Sequence, residues 1–492
     1  MTSGTGKAIQ AALVILLVGL PSACASGQAD PGQFLLISDI HFDPFFDGAL
    51  FPRLVAEPAE GWGAVLRGTR AAGINPRGTD SNDALLQSSL DDAQARCPQP
   101  TFILYPGDFM AHQWQGKYDK RALRSHLEDP RAYQAFTTKA IRYLAAEFRR
   151  RFPRTPILPT LGNDDSYCGD YMVQPEGLFL AMFAGVWEPL LGPELDTGAF
   201  RQTFLRGGYY TTPLPGLKGH RLVVLNSVVF SVNYSNACGN STETPALDQL
   251  RWLARTLDEA RIAGESVWLL MHIPPGINSF NSAEDVQKGG SPVTFWQPEL
   301  TSRFLGLVRQ YRPTIQVAFA GHTHMDDFRV IRLDGASALL CKVAPAVSPI
   351  FGNNPGYQVY QYDRGMGAIQ DYQTYDLANL ADAGQPPTPS PGRWSFEYDF
   401  RAAYGYPELN ARAAGRLSEA LVADAPARQR YTKYFSVSAA PEFTEQTFAI
   451  YRCAIANITP AEFLMCLSGA TTPRTPLPHP DRKRSLQLAP RP

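Results

Sequence analysis

Short unbroken apolar runs, each closed by a polar cluster, recur along the first two thirds of the chain. They occupy residues 34–38, 102–105, 157–161, 222–225, 267–271 and 315–320. They are too short for helices and do not alternate, the pattern of strands covered on both faces. Helical periodicity fills the gaps. Residues 83–96 carry it, Phe136, Ala140, Ile141, Leu144 and Phe148 repeat at helical spacing, and residues 298–311 form another helix. A stripe of Leu247, Leu250, Leu253 and Leu257 opens at Thr244-Pro245 and closes at Gly264. Runs at 338–343, 357–362 and 368–375 then read as strands without helices between them. The alternation predicts an α/β (α+β) fold with a mixed core of two sheets, flanked by helices.

Residues 42–78, rich in Pro, Gly and aromatics, read as a long excursion over the strand ends, and 383–393 as a linker. Beyond it, 401–421 and 446–467 are helical in pattern, giving a C-terminal helical subdomain. Thr459-Pro460-Ala461-Glu462 is a capping box that splits the second stretch into two antiparallel helices. Cys453 and Cys466 flank that turn, a spacing that fits a bridge across a helical hairpin. No internal repeat is evident.

The 492 residues leave room for two or three average domains, or one large domain with an appendage, and 44% hydrophobic content supports a packed core. Lys7, an apolar run at 11–20 and Ala23-Cys24-Ala25 read as a cleaved export signal, too short to span a bilayer. Lipidation of Cys24 is the alternative, disfavoured by Pro21. The expected location is therefore secreted or periplasmic, or the outer membrane if Cys24 is lipidated, with no transmembrane segment after cleavage. Export implies an oxidising compartment, and the six further cysteines form an even set whose pairing stays open. Cys341, in an apolar run, reads as a buried thiol. Net charge is −1, and the tail from Thr471 carries five basic residues and one acidic one. Without tail and leader the chain is acidic, so no nucleic-acid-binding surface is implied.

Five strand ends carry metal-capable groups: Asp39 with His41, Asp108, Asn163, His272, and His322 with His324. Ligands gather at the carboxyl ends of strands in open α/β sheets, so these termini can converge. In an extended backbone the His322-Thr-His324 spacing sends both imidazoles to one side.

The order Asp-x-His, Gly-Asp, Gly-Asn, His, Gly-His-x-His resembles the calcineurin-like metallophosphoesterase family. Gly107-Asp-Phe-Met-Ala-His112, Met271-His-Ile-Pro-Pro-Gly276, Gly321-His-Thr-His-Met-Asp-Asp-Phe328 and Tyr398-Asp-Phe-Arg-Ala-Ala-Tyr-Gly405 are similar to its acid sphingomyelinase branch. The resemblance implies a two-sheet βαβ sandwich over residues 31–382, which the leader at 1–25 precedes and the helical subdomain at 394–470 follows; the basic, proline-rich residues 471–492 read as a disordered tail. It implies two divalent metal ions, zinc by ligand type, with Asp39, His41 and His324 on one, Asn163, His272 and His322 on the other, and Asp108 on both. The implied reaction is metal-hydroxide attack at phosphorus. His112 resembles the branch's leaving-group acid, so the implied catalytic residues are His112 and Asn163. Ala111 stands where purple acid phosphatases carry a metal-binding tyrosine, which disfavours an iron site.

One position departs from the family. Gly162-Asn-Asp-Asp165 puts Asp164 where a phosphate-contacting histidine is usual, which leaves the substrate range open. Asp165 reads as a partner that orients the ligands. The expected protein is a monomeric phosphodiesterase acting on a small-molecule or lipid phosphodiester. Sphingomyelin-like lipids, phospholipid headgroups and nucleotides are the candidate diesters. Few residues separate the leader from Asp39, which leaves no room for a lipid-extracting module and speaks against sphingomyelin as sole substrate, and soluble phosphodiesters are consistent with that. A phosphomonoesterase is the enzymatic alternative. A non-catalytic surface or binding protein would show eroded ligand positions, and none of the seven is eroded.

Overall fold

Why the apolar runs end where they do is visible in the pairing of the strands. The computed structural model describes residues 1–2, 31–68, 73–236, 245–333, 338–383, 391–439 and 443–469. The leader with Cys24, Thr244, Cys238, most of the 383–393 linker and the tail lie outside them. The described strands are β1 (Gly32–Leu36), β2 (Ile103–Tyr105), β3 (Ile157–Pro159), β4 (Tyr210–Pro213), β5 (His220–Val224), β6 (Ser266–Leu270), β7 (Ile315–Ala320), β8 (Asp327–Arg332), β9 (Ala338–Val343), β10 (Gly356–Tyr362), β11 (Ile369–Leu377) and β12 (Trp394–Asp399). They form two six-stranded sheets, ordered β12-β11-β10-β1-β2-β3 and β4-β5-β6-β7-β9-β8.

Within each sheet, the strands that lead into the candidate site run parallel: β1, β2 and β3 in the first, and β6 and β7 in the second. Strands buried on both faces need apolar side chains at every position. Phe34, Leu35, Leu36, Leu104, Leu269 and Phe319 are accordingly fully buried. Phe34 stacks between Phe102 and Tyr360 and meets Phe319 of the other sheet edge-on, with 5.7 Å between ring centroids. The aromatic core thus lies between the sheets, and the described residues from Pro31 on form one compact unit.

Several predicted elements recur with their bounds nearly unchanged, among them Asp83–Arg96, Pro245–Ala263 and Pro298–Gln310. Gly264 follows the second of these in the left-handed region, as its position predicts. Other readings need correction. The helix expected over 401–421 is two helices, Phe400–Tyr404 and Ala411–Ala423, because Gly405 turns left-handed and Asn410 caps a fresh start. The excursion over 42–78 contains short helices at Phe51–Ala56 and Trp62–Arg67. The C-terminal segment opens with a strand, since β12 pairs antiparallel with β11 at the edge of the first sheet. The predicted hairpin of Glu445–Ala456 and Pro460–Leu467 is present, and Cys453 is bonded to Cys466 with 5.8 Å between their Cα atoms. Cys168 is also disulfide-bonded, whereas Cys97 and Cys341 are buried free thiols. Among the described residues no helix is long and apolar enough to cross a membrane.

Candidate metal centre

Each strand end delivers its polar residues through a tight loop, and backbone hydrogen bonds lock neighbouring loops together. Asp39 N–H donates to Gly107 O (3.1 Å), His41 N–H to Asp108 O (3.0 Å) and Gly321 N–H to His272 O (2.9 Å). Gly107 is required where it stands. Its φ is +103°, and a Cβ there would collide with the backbone of Gly162. Asp165 then holds two of the loops at once. Its carboxylate accepts from the amides of Gly162 (2.8 Å), Asp108 (2.9 Å), Phe109 (2.8 Å) and Met110 (3.2 Å). It therefore orients Asp108 without itself facing the facing imidazoles.

The seven predicted residues come together. Asp108 Oδ2 lies 3.2 Å from His41 Nε2 and 3.1 Å from His272 Nε2, between two groups of side chains. On one side His324 Nε2 stands 3.1 Å from His41 Nε2 and 3.6 Å from Asp39 Oδ1. On the other, His272 Nε2 is 3.0 Å from Asn163 Oδ1 and 3.3 Å from His322 Nδ1. The extended-backbone reading of His322-Thr-His324 is wrong. Both histidines have left-handed backbone, φ 73° and 63°, so the rings diverge, one into each group.

These residues fit divalent cations. His41 Nδ1 donates to Met110 O (3.0 Å) and His272 Nδ1 to Pro106 O (2.8 Å), which leaves each Nε2 as a lone pair on the neutral ring. Asn163 donates through Nδ2 to Asp170 (2.8 Å), which turns its carbonyl oxygen inward. With both rings neutral, lone pairs and carboxylate oxygens face one another without a donor among them, an arrangement that a cation in each group satisfies. Burial opposes charge on every ring, but Asp108 overrides it at His41, raised to about 10, and at His272, raised to about 9, so a binding cation has to displace the proton that each Nε2 otherwise shares with Asp108. Burial and then repulsion from His272 lower His322 to about 3, and burial with His41 and His112 holds His324 well below the usual range. Burial works against the Asp108 charge too, yet the flanking His272 and His41 hold it well below the ordinary carboxylate range.

His112 lies beside this cluster. Its ring stacks on His41 with 3.9 Å between centroids, and its Nδ1–H donates to Asp80 Oδ1 (2.8 Å), which leaves Nε2 as the working atom. Asp80 also accepts the His112 amide (3.1 Å) and the Lys117 ammonium (2.6 Å). Burial alone would raise Asp80, but the His112 hydrogen bond and the nearby cations bring it to about 2. Asp80 went unread in the sequence, where it is one polar residue in a loop ahead of a helix cap. Asp164 is buried, with Oδ2 3.8 Å from His112 Nε2 and 3.2 Å from Asn163 Nδ2. Burial and the Asp108 charge push it well above the usual range, which favours its neutral form beside an anionic ligand.

A cavity of about 290 Å³ opens over Asp108, Asn163, His322 and His324. Tyr171, Phe280, Phe295, Phe351 and Tyr451 give it aromatic walls that no sequence motif marked.

The calcineurin-like phosphoesterase family model matches residues 32–326. The chain is 28% identical to acid sphingomyelinase-like phosphodiesterase 3b from Homo sapiens over 92% of this chain and 93% of that one. It is 25% identical to a cyclic GMP-AMP phosphodiesterase from Mus musculus, over 92% and 95% of the two chains. Among solved structures it is similar to a dimetal phosphatase from Danio rerio, with a TM-score of 0.40 and 13% identity over 70% of this chain and 96% of that one.

Proposed function

The chain belongs to the calcineurin-like phosphoesterase family and is a metal-dependent phosphoric ester hydrolase, and from that premise we propose that it is an exported phosphodiesterase working with two zinc ions. The observation that carries this reading is the convergence of seven ligand-type residues from five strand ends, six of them gathered around the seventh, Asp108. In it, Asp39, His41 and His324 would hold one ion, Asn163, His272 and His322 the other, and Asp108 would contribute to both. Bound there, a cation pair polarises phosphoryl oxygens and makes a water nucleophilic at neutral pH.

The remaining work falls to the chain's own side chains. Asp165 fixes Asp108 through the four amides it binds, and Asp170 fixes the carbonyl face of Asn163. Asp80 holds His112 through Nδ1–H and favours the protonated ring, which burial and His41 oppose; in that protonated form Nε2–H gives its proton to the departing oxygen. The aromatic walls limit water around the reacting phosphorus. A cleaved leader at 1–25, the catalytic region at 31–382, the segment at 394–470, the tail at 471–492 and a monomeric state are part of the same reading. The similarity to proteins named as phosphodiesterases supports a diester over a monoester substrate. The test is the ratio of kcat/KM for bis(4-nitrophenyl) phosphate and 4-nitrophenyl phosphate. The diester should be preferred, a chelator should abolish turnover and zinc should restore it. Preference for the monoester would replace this reading with a phosphomonoesterase.

A further inference from the structure

The two most exposed leucines among the described residues, Leu123 (91%) and Leu127 (78%), share one short loop between the helices Trp114–Ala122 and Pro130–Arg151. Apolar residues scattered singly over a surface are ordinary, whereas two this bare on one loop call for a reason. The loop is held in shape. Asp119 accepts from the His126 amide (2.6 Å) and from its ring Nδ1–H (2.9 Å), Ser125 Oγ accepts from the Leu127 amide (3.2 Å), and Arg124 pairs with Asp129 (3.1 Å). Leu123 has left-handed backbone, φ 52°, a conformation that glycine or asparagine adopts at lower cost. The chain thus keeps a leucine where a polar residue would suit both the backbone and the water around it.

Positive charge flanks the pair. Lys120, one helical turn before Leu123, and Arg131 have no acidic partner among the described residues. Arg121 donates to a neutral carbonyl, Phe45 O (3.1 Å), which leaves its charge unanswered. The nearby acids Glu128 and Asp129 are already engaged by Arg124. Phe46, 38% exposed, lines a cavity together with Lys120 and Arg121 and adds a third apolar side chain beside them.

We propose that this loop docks the protein on an anionic lipid bilayer, with Leu123 and Leu127 entering the interface and Lys120, Arg121 and Arg131 meeting the headgroup phosphates. Apolar side chains flanked by cations match the layering of such a surface, acyl chains beneath negative headgroups. A protein partner, or a second copy of this chain, draws on about 800 Å² from each side, which a loop tip with two leucines does not offer. The inference is independent of the reading of the metal centre, because none of these five residues belongs to it.

The test uses the chain from Pro31 on, the compact unit described above, with vesicles of phosphatidylglycerol and phosphatidylcholine or of phosphatidylcholine alone. In a sedimentation assay the unaltered protein should bind the anionic vesicles about tenfold more strongly than the neutral ones, and added salt should weaken binding. Leu123→Asn combined with Leu127→Ser should lower the partition coefficient at least about tenfold, the scale of keeping one leucine out of the apolar layer. Lys120→Glu should lower it about tenfold. The basic tail is common to every variant, so these differences read the loop. Leu127→Trp should add an emission that moves to the blue when anionic vesicles are present. Asparagine suits the left-handed position, so the double variant should keep its unfolding midpoint, and its kcat/KM for bis(4-nitrophenyl) phosphate should stay within twofold. Undiminished vesicle binding by the double variant overturns the proposal, as does an emission from Leu127→Trp indifferent to vesicles or failure of the unaltered protein to bind. A concentration-dependent dimer that the double variant abolishes overturns it in favour of a second copy of the chain.

Discussion

Asp39, His41, Asp108, His322 and His324 share a backbone conformation that non-glycine residues rarely adopt, with φ between 45° and 73°. Each such residue costs on the order of 1–3 kcal/mol, and the cost persists only where surrounding contacts overdetermine it. Here the fixing contacts are Asp165 on the amides around Asp108 and Asp39 on the amide of His322 (2.9 Å). The strain aims side chains at a common point, and this is why residue types were legible in the sequence while their directions were not. The same scale separates two roles for His112, because His41, His112 and His324 offer nitrogens within 4.8 Å of one another and could share an ion. Held by Asp80 through Nδ1, His112 is better placed as a proton donor. His112→Ala should therefore lower kcat for an alkyl phosphodiester roughly 10²–10⁴-fold while elemental analysis still finds the ion content of the unaltered protein. A 4-nitrophenyl ester, whose leaving group needs little protonation, should lose much less. Loss of one ion per chain would make His112 a ligand instead.

The loop between β7 and β8 does most to divide the centre, since it sends His322 to one group and His324 to the other. Two residues further on, Asp326 anchors it. Its carboxylate accepts from Lys342 of β9 (2.5 Å), Gln358 of β10 (2.9 Å), Thr374 of β11 (3.0 Å) and Tyr398 of β12 (2.8 Å), so the loop is tied to both sheets. The desolvation cost of a buried pair such as Lys342 with Asp326 offsets much of its attraction, so this contact is weak evidence for added stability. The sequence showed β7 plainly because an unbroken apolar run ends at Gly321. It hid β8, whose Asp327 and Arg329 are buried polar residues that break the expected alternation, and it hid the helix Leu178–Trp187, apolar on every face and so without a period. Tertiary contacts, not local pattern, decide both. If the loop divides two ions, His324→Ala should weaken the ion held with Asp39 and His41, and His322→Ala the one held with Asn163 and His272. Cobalt-substituted variants carrying one ion per chain should then give two different visible spectra. Identical spectra would mean that both histidines serve one ion.

At the scale of the molecule, the centre sits where two sheets meet. Asp39, His41, Asp108 and Asn163 follow strands of the first sheet, and His272, His322 and His324 follow strands of the second. Each sheet alone was readable from its apolar runs, but nothing in the order of strands along the chain says that these edges face each other. That information entered only through the ligand motifs, which make chemical sense together and little sense apart. The edge is costly without cations. Buried carboxylates and imidazoles are turned on one another, and His324 Nδ1 has no hydrogen-bond partner among the described residues. Cations that bind the folded chain and not the unfolded one stabilise it by about 2.7 kcal/mol each at a hundredfold excess over Kd. For a chain of this size two such ions should raise the unfolding midpoint on the order of 5–10 °C. Scanning calorimetry with and without a chelator measures the difference, and added zinc should reverse it. The His112→Ala protein should show the same shift, because it keeps both ions, whereas His324→Ala should show about half. A midpoint indifferent to chelation would mean that protein contacts alone hold the two sheet edges together.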